Sequence, residues 1–562
     1  MRTLYTNGIV FTATGPHAAG LHNEADAVEP PTVEAFVVEN GRFLFAGDTA
    51  PAAQAAGDGA TTVDLGGAFV LPGIIDAHTH LLMTGQALGK VQLRDAETLA
   101  DLQERLRQAV RDNPALPRVL GSGWLHSALG GAEPTRDLLD AAVPDRPVYL
   151  DSNDLHSVWV NSAALAELGI DGSTPDPLGG RIGRGSSGTA DGMLYETAAV
   201  QIVWPALANA ARDEDRDAWL EAAFAHYAAA GVTGAVDMAV GDDDVAAFTR
   251  ALVRHGGTLP LRVKGHWLIH RRDSTEENLA QVARAQELAA ELAANGTAAW
   301  LQLCGIKVIV DGVIDSCTAA MKEPYADGST SGPIWDREAL FPVVAAADAA
   351  GLQVALHAIG DEASDIALDA LEHAVRVNGP ADTRRHRIEH LETVTEANVQ
   401  RLADLGVVAS VQPVHADPAI QDNWRAMLGD DRTERAYPWT EFSEAGAVLA
   451  ISTDAPTAPY QALPNLYVAA TRKSAMDPEL VANLPRYAMD LADALCHATR
   501  DAAYSCRAEA SLGQIRPGHL ADFTVLAADP LAGPAEDLLA NSVLLTVTGG
   551  RTVFSAAADT LS

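Results

Sequence analysis

The chain has 562 residues, with 39 Lys plus Arg against 75 Asp plus Glu and a formal net charge of −36 at pH 7. That length holds three or four domains of ordinary size, or one large barrel with additions, and the negative field excludes nucleic acid and membrane surfaces as partners by repelling phosphates and anionic headgroups. The composition, 48% hydrophobic and 20% charged, is globular, and the cysteines Cys304, Cys317, Cys496 and Cys506 lack CxxC spacing, which suits a reducing, cytoplasmic compartment.

Residues 1–69 read as short strands: Leu4–Thr12, Ala35–Val38, and Arg42–Ala46 after the Asn40-Gly41 hairpin signal. Between the first two, the polar, turn-forming stretch Gly15–Pro31 reads as a long loop. From Val70 onward apolar runs alternate with Ala-rich amphipathic stretches such as Glu276–Asn295 and Asp361–Asn378, the pattern of repeated βα units. Candidate strands lie near Val70, Val119, Val148, Val232, Leu261, Leu303, Leu352, Arg387, Val407 and Ala447. The runs near Val119 and Val148 fall in an irregular Pro/Gly-rich stretch and are assigned to an insertion after the first strand; the others suit a TIM barrel. A helical stretch, Leu491–Thr499, precedes β texture at Gly513–Leu526 and Leu544–Val553, which could complete the N-terminal module.

Ligand-type residues gather at the predicted strand ends, where barrel enzymes keep their sites. The run Phe69–Ile75 ends in Asp76-Ala-His78-Thr-His80. Strand alternation turns both histidines to one side, about 7 Å apart along the backbone and within reach of one ion. Alone, the pair fits two hydrogen-bonded histidines as well as a metal site. Leu352-Gln-Val-Ala-Leu-His357 and Arg387-Ile-Glu-His390 each place a histidine after an apolar run, and Ala447-Val-Leu-Ala-Ile-Ser-Thr-Asp454 ends in a carboxylate. Together, neutral imidazoles and a carboxylate form the ligand set of Zn²⁺ and its neighbours. Lys307 shares a strand face with Ile309 and Asp311, and a lone ammonium inside a barrel is costly. Two readings stay open for it: an ion pair with Asp311 or Asp454, or a neutral amine that takes up CO₂ as a carbamate able to span two ions. Trp124, His126, His156, Tyr325 and Trp335 sit in loop-like stretches, where they either pack the insertion or roof a pocket. Glu389 and Asp361 read as residues that orient a neighbour, Asp361 behind His357, and Asp242-Asp243-Asp244 as a solvated helix start.

Taken in order, Leu71-Pro-Gly-Ile-Ile-Asp-Ala-His78-Thr-His80, Lys307-Val-Ile-Val-Asp-Gly312, His357-Ala-Ile-Gly-Asp361, Ile388-Glu-His390 and Ser452-Thr-Asp-Ala-Pro456 resemble the metal-dependent amidohydrolase superfamily. Within it, the sequence is similar to amidohydrolase family 3, the branch that includes N-substituted formamide deformylase. Pro134-Thr-Arg136, His156-Ser-Val-Trp-Val-Asn-Ser162, Glu323-Pro-Tyr325 and Gly518-His-Leu-Ala-Asp522 extend the resemblance over nearly the whole chain. It implies an α/β architecture: a TIM (β/α)8 barrel over 70–84 and 211–509, a composite β-sandwich from 1–69 and 510–562, and an insertion, 85–210, covering the active site. It further implies one or two divalent metals, zinc first, held by His78, His80, Lys307 as carbamate, His357, His390 and Asp454. His156 resembles a position near the substrate, with Trp124 and Tyr325 beside it as substrate-binding candidates.

Where that branch usually runs through an arginine, this chain reads Val313-Ile-Asp-Ser-Cys317-Thr318. No glutamate stands three residues after His357, the proton-shuttle position of mononuclear deaminases in the superfamily, and no cysteine precedes Cys304, where acylase relatives bridge their metals. The resemblance therefore implies hydrolysis of a non-peptide carbon–nitrogen bond in a small amide-like substrate, N-formyl or N-acyl, by metal-activated water. Asp454 is the expected proton shuttle, with Lys307 and His357 in the catalytic set. The alternatives are an esterase or lactonase, a cyclic-amidine deaminase, and a non-catalytic regulatory protein retaining the barrel. A homodimer is the assembly considered.

Overall fold

The computed structural model describes residues 2–15, 32–152, 157–177, 180–196, 198–315, 317–381 and 383–556. The chain divides into two compact units, residues 1–81 with 223–562, and residues 82–222. Among the described residues no helix is long and apolar enough to cross a membrane.

In the first unit, parallel strands pair in chain order: β1 (Ile74–Thr79), β2 (Val232–Val240), β3 (Arg262–Leu268), β4 (Leu301–Ile309), β5 (Gln353–Ala358), β6 (Arg387–His390), β7 (Val408–Val411) and β8 (Leu449–Ile451). Beyond β8, Asp454 N donates to His78 O at 2.8 Å and His80 N to Ala455 O at 3.0 Å, which closes the sheet into a barrel. Burial on both faces favours apolar side chains, which dominate most of these strands, whereas β3 and β6 also carry Arg262, Lys264, Arg387 and Glu389. Helices such as Asp242–Arg254, Thr275–Ala294 and Asp361–Asn378 connect them; Ser274 caps the second by accepting from Glu277 N, and the Asp242–Asp244 run is the first turn of the first.

Register sets which side chains share a layer of the interior. Lys307 pairs with Ala355, Ala355 with Arg387 and Arg387 with Val408; one step on, Ile309, His357, Glu389 and Ser410 align. Buried Ala77, Ala355 and Ala450 leave room there for long polar side chains.

The run Phe69–Ile75, read as one strand, is divided. Phe69–Pro72 joins a sandwich sheet and β1 begins at Ile74. The break falls at Gly73, where a side chain would collide with Thr233. The stretch Leu4–Thr12 is likewise two strands, Arg2–Thr6 and Ile9–Phe11, parted at Asn7-Gly8, where Asn7 has φ 57°. The hairpin at Asn40-Gly41 is present, with φ 51° and 75° as a primed turn demands. Two sheets stack around Tyr5, Phe36, Phe43, Val70, Phe523 and Val547; the larger one combines N-terminal strands with Phe523–Leu526, Val543–Thr548 and Arg551–Ser555. Most of the predicted loop Gly15–Pro31, residues 16–31, lies outside the described residues.

The second unit holds its own mixed sheet, in which Val119–Trp124 and Val148–Ser152 are neighbouring parallel strands. Trp124, Trp159, Leu102, Leu106 and Met193 pack its core.

Candidate metal centre

β1 delivers His78 and His80 because Asp76 anchors the strand end. Its carboxylate accepts from Thr453 N (3.0 Å) and Thr453 Oγ1 (2.6 Å), so the segment carrying Asp454 is tied to the segment carrying both histidines. Asp454 Oδ1 then lies 3.1 Å from His80 Nε2 and 3.3 Å from His78 Nε2. Ligands about 2.0–2.1 Å from a tetrahedral ion stand about 3.3 Å apart. The donor spacing therefore fits a divalent cation.

His78 and His357 are prepared as neutral donors, whereas, against the effect of burial, Asp454 raises the pKa of His80. His78 Nδ1 is 2.8 Å from Glu389 Oε2, and His357 Nε2 is 3.2 Å from Gly312 O. A carbonyl or carboxylate oxygen only accepts, so these nitrogens carry the hydrogens and His78 Nε2 and His357 Nδ1 keep lone pairs. Burial, helped by Lys307, pushes the pKa of His78 down to about 4 and that of His357 to about 3. His390, at the end of β6, has a buried Nδ1 without a hydrogen-bond partner, as has His80. Its ring lies 4.3 Å from that of His357 and 5.0 Å from that of His78, centroid to centroid. Burial works against the charge on Asp454, but His78, His80 and His390 hold its pKa well below the usual carboxylate range.

Lys307 Nζ stands 3.5 Å from His78 Nε2 in the same interior. Among the described residues neither expected ion pair is present. Asp311 is taken up instead by Ala320 N (3.0 Å), Ile359 N (3.1 Å) and Gly360 N (2.8 Å). Burial, reinforced by Arg387, pushes the Lys307 pKa down to about 8 despite Glu389 and Asp454. A substantial neutral fraction is thus accessible near physiological pH.

The structure adds residues that strand periodicity did not single out. His415, on a turn after β7, puts Nε2 3.8 Å from Asp454 Oδ2 and Nδ1 3.2 Å from Glu392 Oε1. His390, Glu392 and His415 offer donor atoms within 4.8 Å of one another, as do His78, His80 and Asp454. Asp237, buried at β2, accepts from Leu81 N at 3.0 Å beside His80.

A model of the amidohydrolase family matches residues 61–554. The chain belongs to the amidohydrolase family. It is 32% identical over 567 residues to Protein LONG AFTER FAR-RED 3 of Arabidopsis thaliana, covering 98% of this chain and 91% of that protein. It is 28% identical over 535 residues to N-substituted formamide deformylase of Arthrobacter pascens, covering 92% of this chain and 94% of that one. The crystal structure of a metal-dependent hydrolase from Pyrococcus horikoshii superposes with a TM-score of 0.75 at 26% identity, over 95% of this chain and 99% of that one. Family, fold and donor set together make this amidohydrolase a hydrolase with a divalent-metal centre.

The structure places the remaining sequence candidates as follows. Trp124 is buried in the second unit, its indole N–H given to Leu150 O at 3.2 Å, with rings of His126 and Trp159 against it. Tyr325 is buried and donates its hydroxyl to Ala319 O at 2.9 Å. His156 lies outside the described residues. Asp361, expected behind His357, accepts from Lys322 N at 2.9 Å, and Gly312 O takes the place foreseen for it.

Proposed function

We propose that this amidohydrolase hydrolyses a non-peptide carbon–nitrogen bond, N-formyl or N-acyl, in a small molecule. The observation that carries the reading is the convergence of His78 Nε2, His80 Nε2 and Asp454 Oδ1, with Lys307, His357 and His390 around them. A divalent cation, zinc by the borderline character of this imidazole and carboxylate set, would be held by those histidines and Asp454, with Lys307 as its carbamate, and would supply Lewis acidity and acidify water.

The chain's own groups handle the rest. Asp454, ionised among the imidazoles, accepts the proton of the attacking water and returns it to the departing nitrogen as the C–N bond breaks, leaving a carboxylic acid and a free amine. Glu389 and Gly312 O keep His78 and His357 in single tautomers. The similarity to N-substituted formamide deformylase supports the N-formyl class. The residues after His357 oppose deamination: Ile359 and Gly360 give their N–H groups to Asp311, and no carboxylate follows at the third position.

A screen of N-formyl and N-acyl amines against matched esters, on protein stripped by a chelator and reloaded with zinc, tests this. Amine release that depends on the added metal is the expected result. Ester cleavage alone, or ammonia from a cyclic amidine, would replace the reading.

A further inference from the structure

Glu389 stands behind His78 as part of a buried charged array. Its Oε2 is 2.8 Å from His78 Nδ1, and it accepts from Arg387 Nε at 2.5 Å through Oε1 and from Arg387 Nη2 at 3.1 Å through Oε2. Both side chains are 0% exposed. Arg387 also donates from Nη2 to Ala77 O (2.7 Å) and Ser410 Oγ (2.7 Å), and from Nη1 to Ser505 Oγ (3.2 Å).

Stability alone does not explain such an array, since a buried ion pair is often no better than apolar residues of the same volume. Its aim is more telling. The carboxylate fixes the ring of His78 from behind, and the same guanidinium grips the carbonyl of Ala77, the residue before His78. Backbone and ring of one ligand are therefore held by one buried pair. His80 provides the contrast: among the described residues its Nδ1 has no hydrogen-bond partner, and the contact of Nε2 with Asp454 and an edge-on ring contact with His78 hold its ring.

We infer that Arg387 and Glu389 are positioning residues for the metal centre: they lock the tautomer and rotation of His78 so that Nε2 faces the cation position in advance of binding. This rests on the metal-centre reading above. An ionised carboxylate on Nδ1–H also raises the basicity of Nε2, which strengthens it as a ligand.

Zinc affinity of the full-length, metal-stripped protein tests the inference, compared among wild type, Glu389→Gln, Arg387→Lys and a control, Asp522→Asn. The control breaks another buried pair, Arg262–Asp522, whose side chains are each 5% exposed and which, among the described residues, hydrogen-bonds to none of the candidate ligands. Glu389→Gln is expected to weaken the tightest zinc site by roughly 10–100-fold and to shift the visible absorption of the cobalt-loaded protein. Arg387→Lys should move both readouts in the same direction, and it carries the test if Glu389→Gln does not fold. The control should lower the melting temperature and leave both readouts at wild-type values. Wild-type affinity and spectrum in Glu389→Gln, or in Arg387→Lys where only that variant folds, would overturn the positioning role while leaving the metal centre intact. Failure of the wild type itself to bind zinc or cobalt would overturn the metal-centre reading, and this inference with it.

Discussion

His390, Leu391 and Asp454 hold φ values of 77°, 53° and 58°, a region that side chains other than glycine avoid. Each such position costs about 1–3 kcal/mol, and persists where surrounding bonds over-determine it. Asp454 is pinned by its N–H to His78 O, and the bend aims its carboxylate at both histidines. Asp454→Asn keeps that shape and an oxygen donor but cannot take a proton. It is expected to retain most bound metal while kcat falls by about 10²–10⁴-fold, checked by metal analysis beside amide turnover. Lys307 allows a second test. Lys307→Arg should be inactive, because a guanidinium cannot become a carbamate, and Lys307→Ala should drop occupancy toward one ion and recover in part with a small carboxylic acid. An active Lys307→Arg enzyme with unchanged metal content would reduce the residue to a neighbour. The residues that closed apolar runs, His78, His80, His357, His390 and Asp454, were legible in the sequence because strand periodicity projects them. Glu392 lies beyond two left-handed residues and His415 on a short helical turn, so no periodicity projects either one.

At the level of elements, the barrel mouth is held by carboxylates that bind backbone rather than cations. Asp311 joins the loop after β4 to the end of β5 by accepting from Ala320, Ile359 and Gly360, and Gly312, next to it, holds His357. Asp311→Ala leaves three buried donors unpaired at about 1–3 kcal/mol each. The expected outcome is a lower melting temperature together with weaker metal binding, since His357 loses its support; a variant that melts early yet binds metal as wild type would separate the two. The barrel runs were readable chiefly because burial on both faces favours apolar sequence, although Arg387–His390 is mostly polar and charged. The division of Phe69–Ile75 was not, because both halves are equally apolar and their separate sheet partners are set by tertiary structure.

Across the first unit, acid stability also draws on a buried cluster separate from the metal ligands. Asp348 accepts from Arg384 Nε and Nη2 (both 2.7 Å), Asn378 Nδ2 (2.8 Å) and His386 Nε2 (3.0 Å), while His386 Nδ1 accepts from Val354 N at 3.1 Å. Burial opposes ionisation of Asp348, but its donors, led by His386 and Arg384, hold its pKa well below the usual range. Burial lowers the pKa of His386 despite Asp348. Both folded pKa values therefore lie below the unfolded ones, about 3.9 for Asp and about 6.5 for His. A depressed folded pKa contributes stability above the unfolded value that is lost as pH falls, so His386 weakens the fold from about pH 6.5 downward and Asp348 from about pH 4 downward. Acidification also discharges a chain carrying −36, which relieves self-repulsion and acts in the opposite sense. Comparing variant with wild type cancels that shared background. Asp348→Asn should lose about 3–5 kcal/mol at pH 7, the cost of breaking a buried pair, keep wild-type zinc content, and show a shallower fall in melting temperature below pH 4. Parallel melting curves for the two proteins over that range would place the acid-sensitive carboxylate elsewhere.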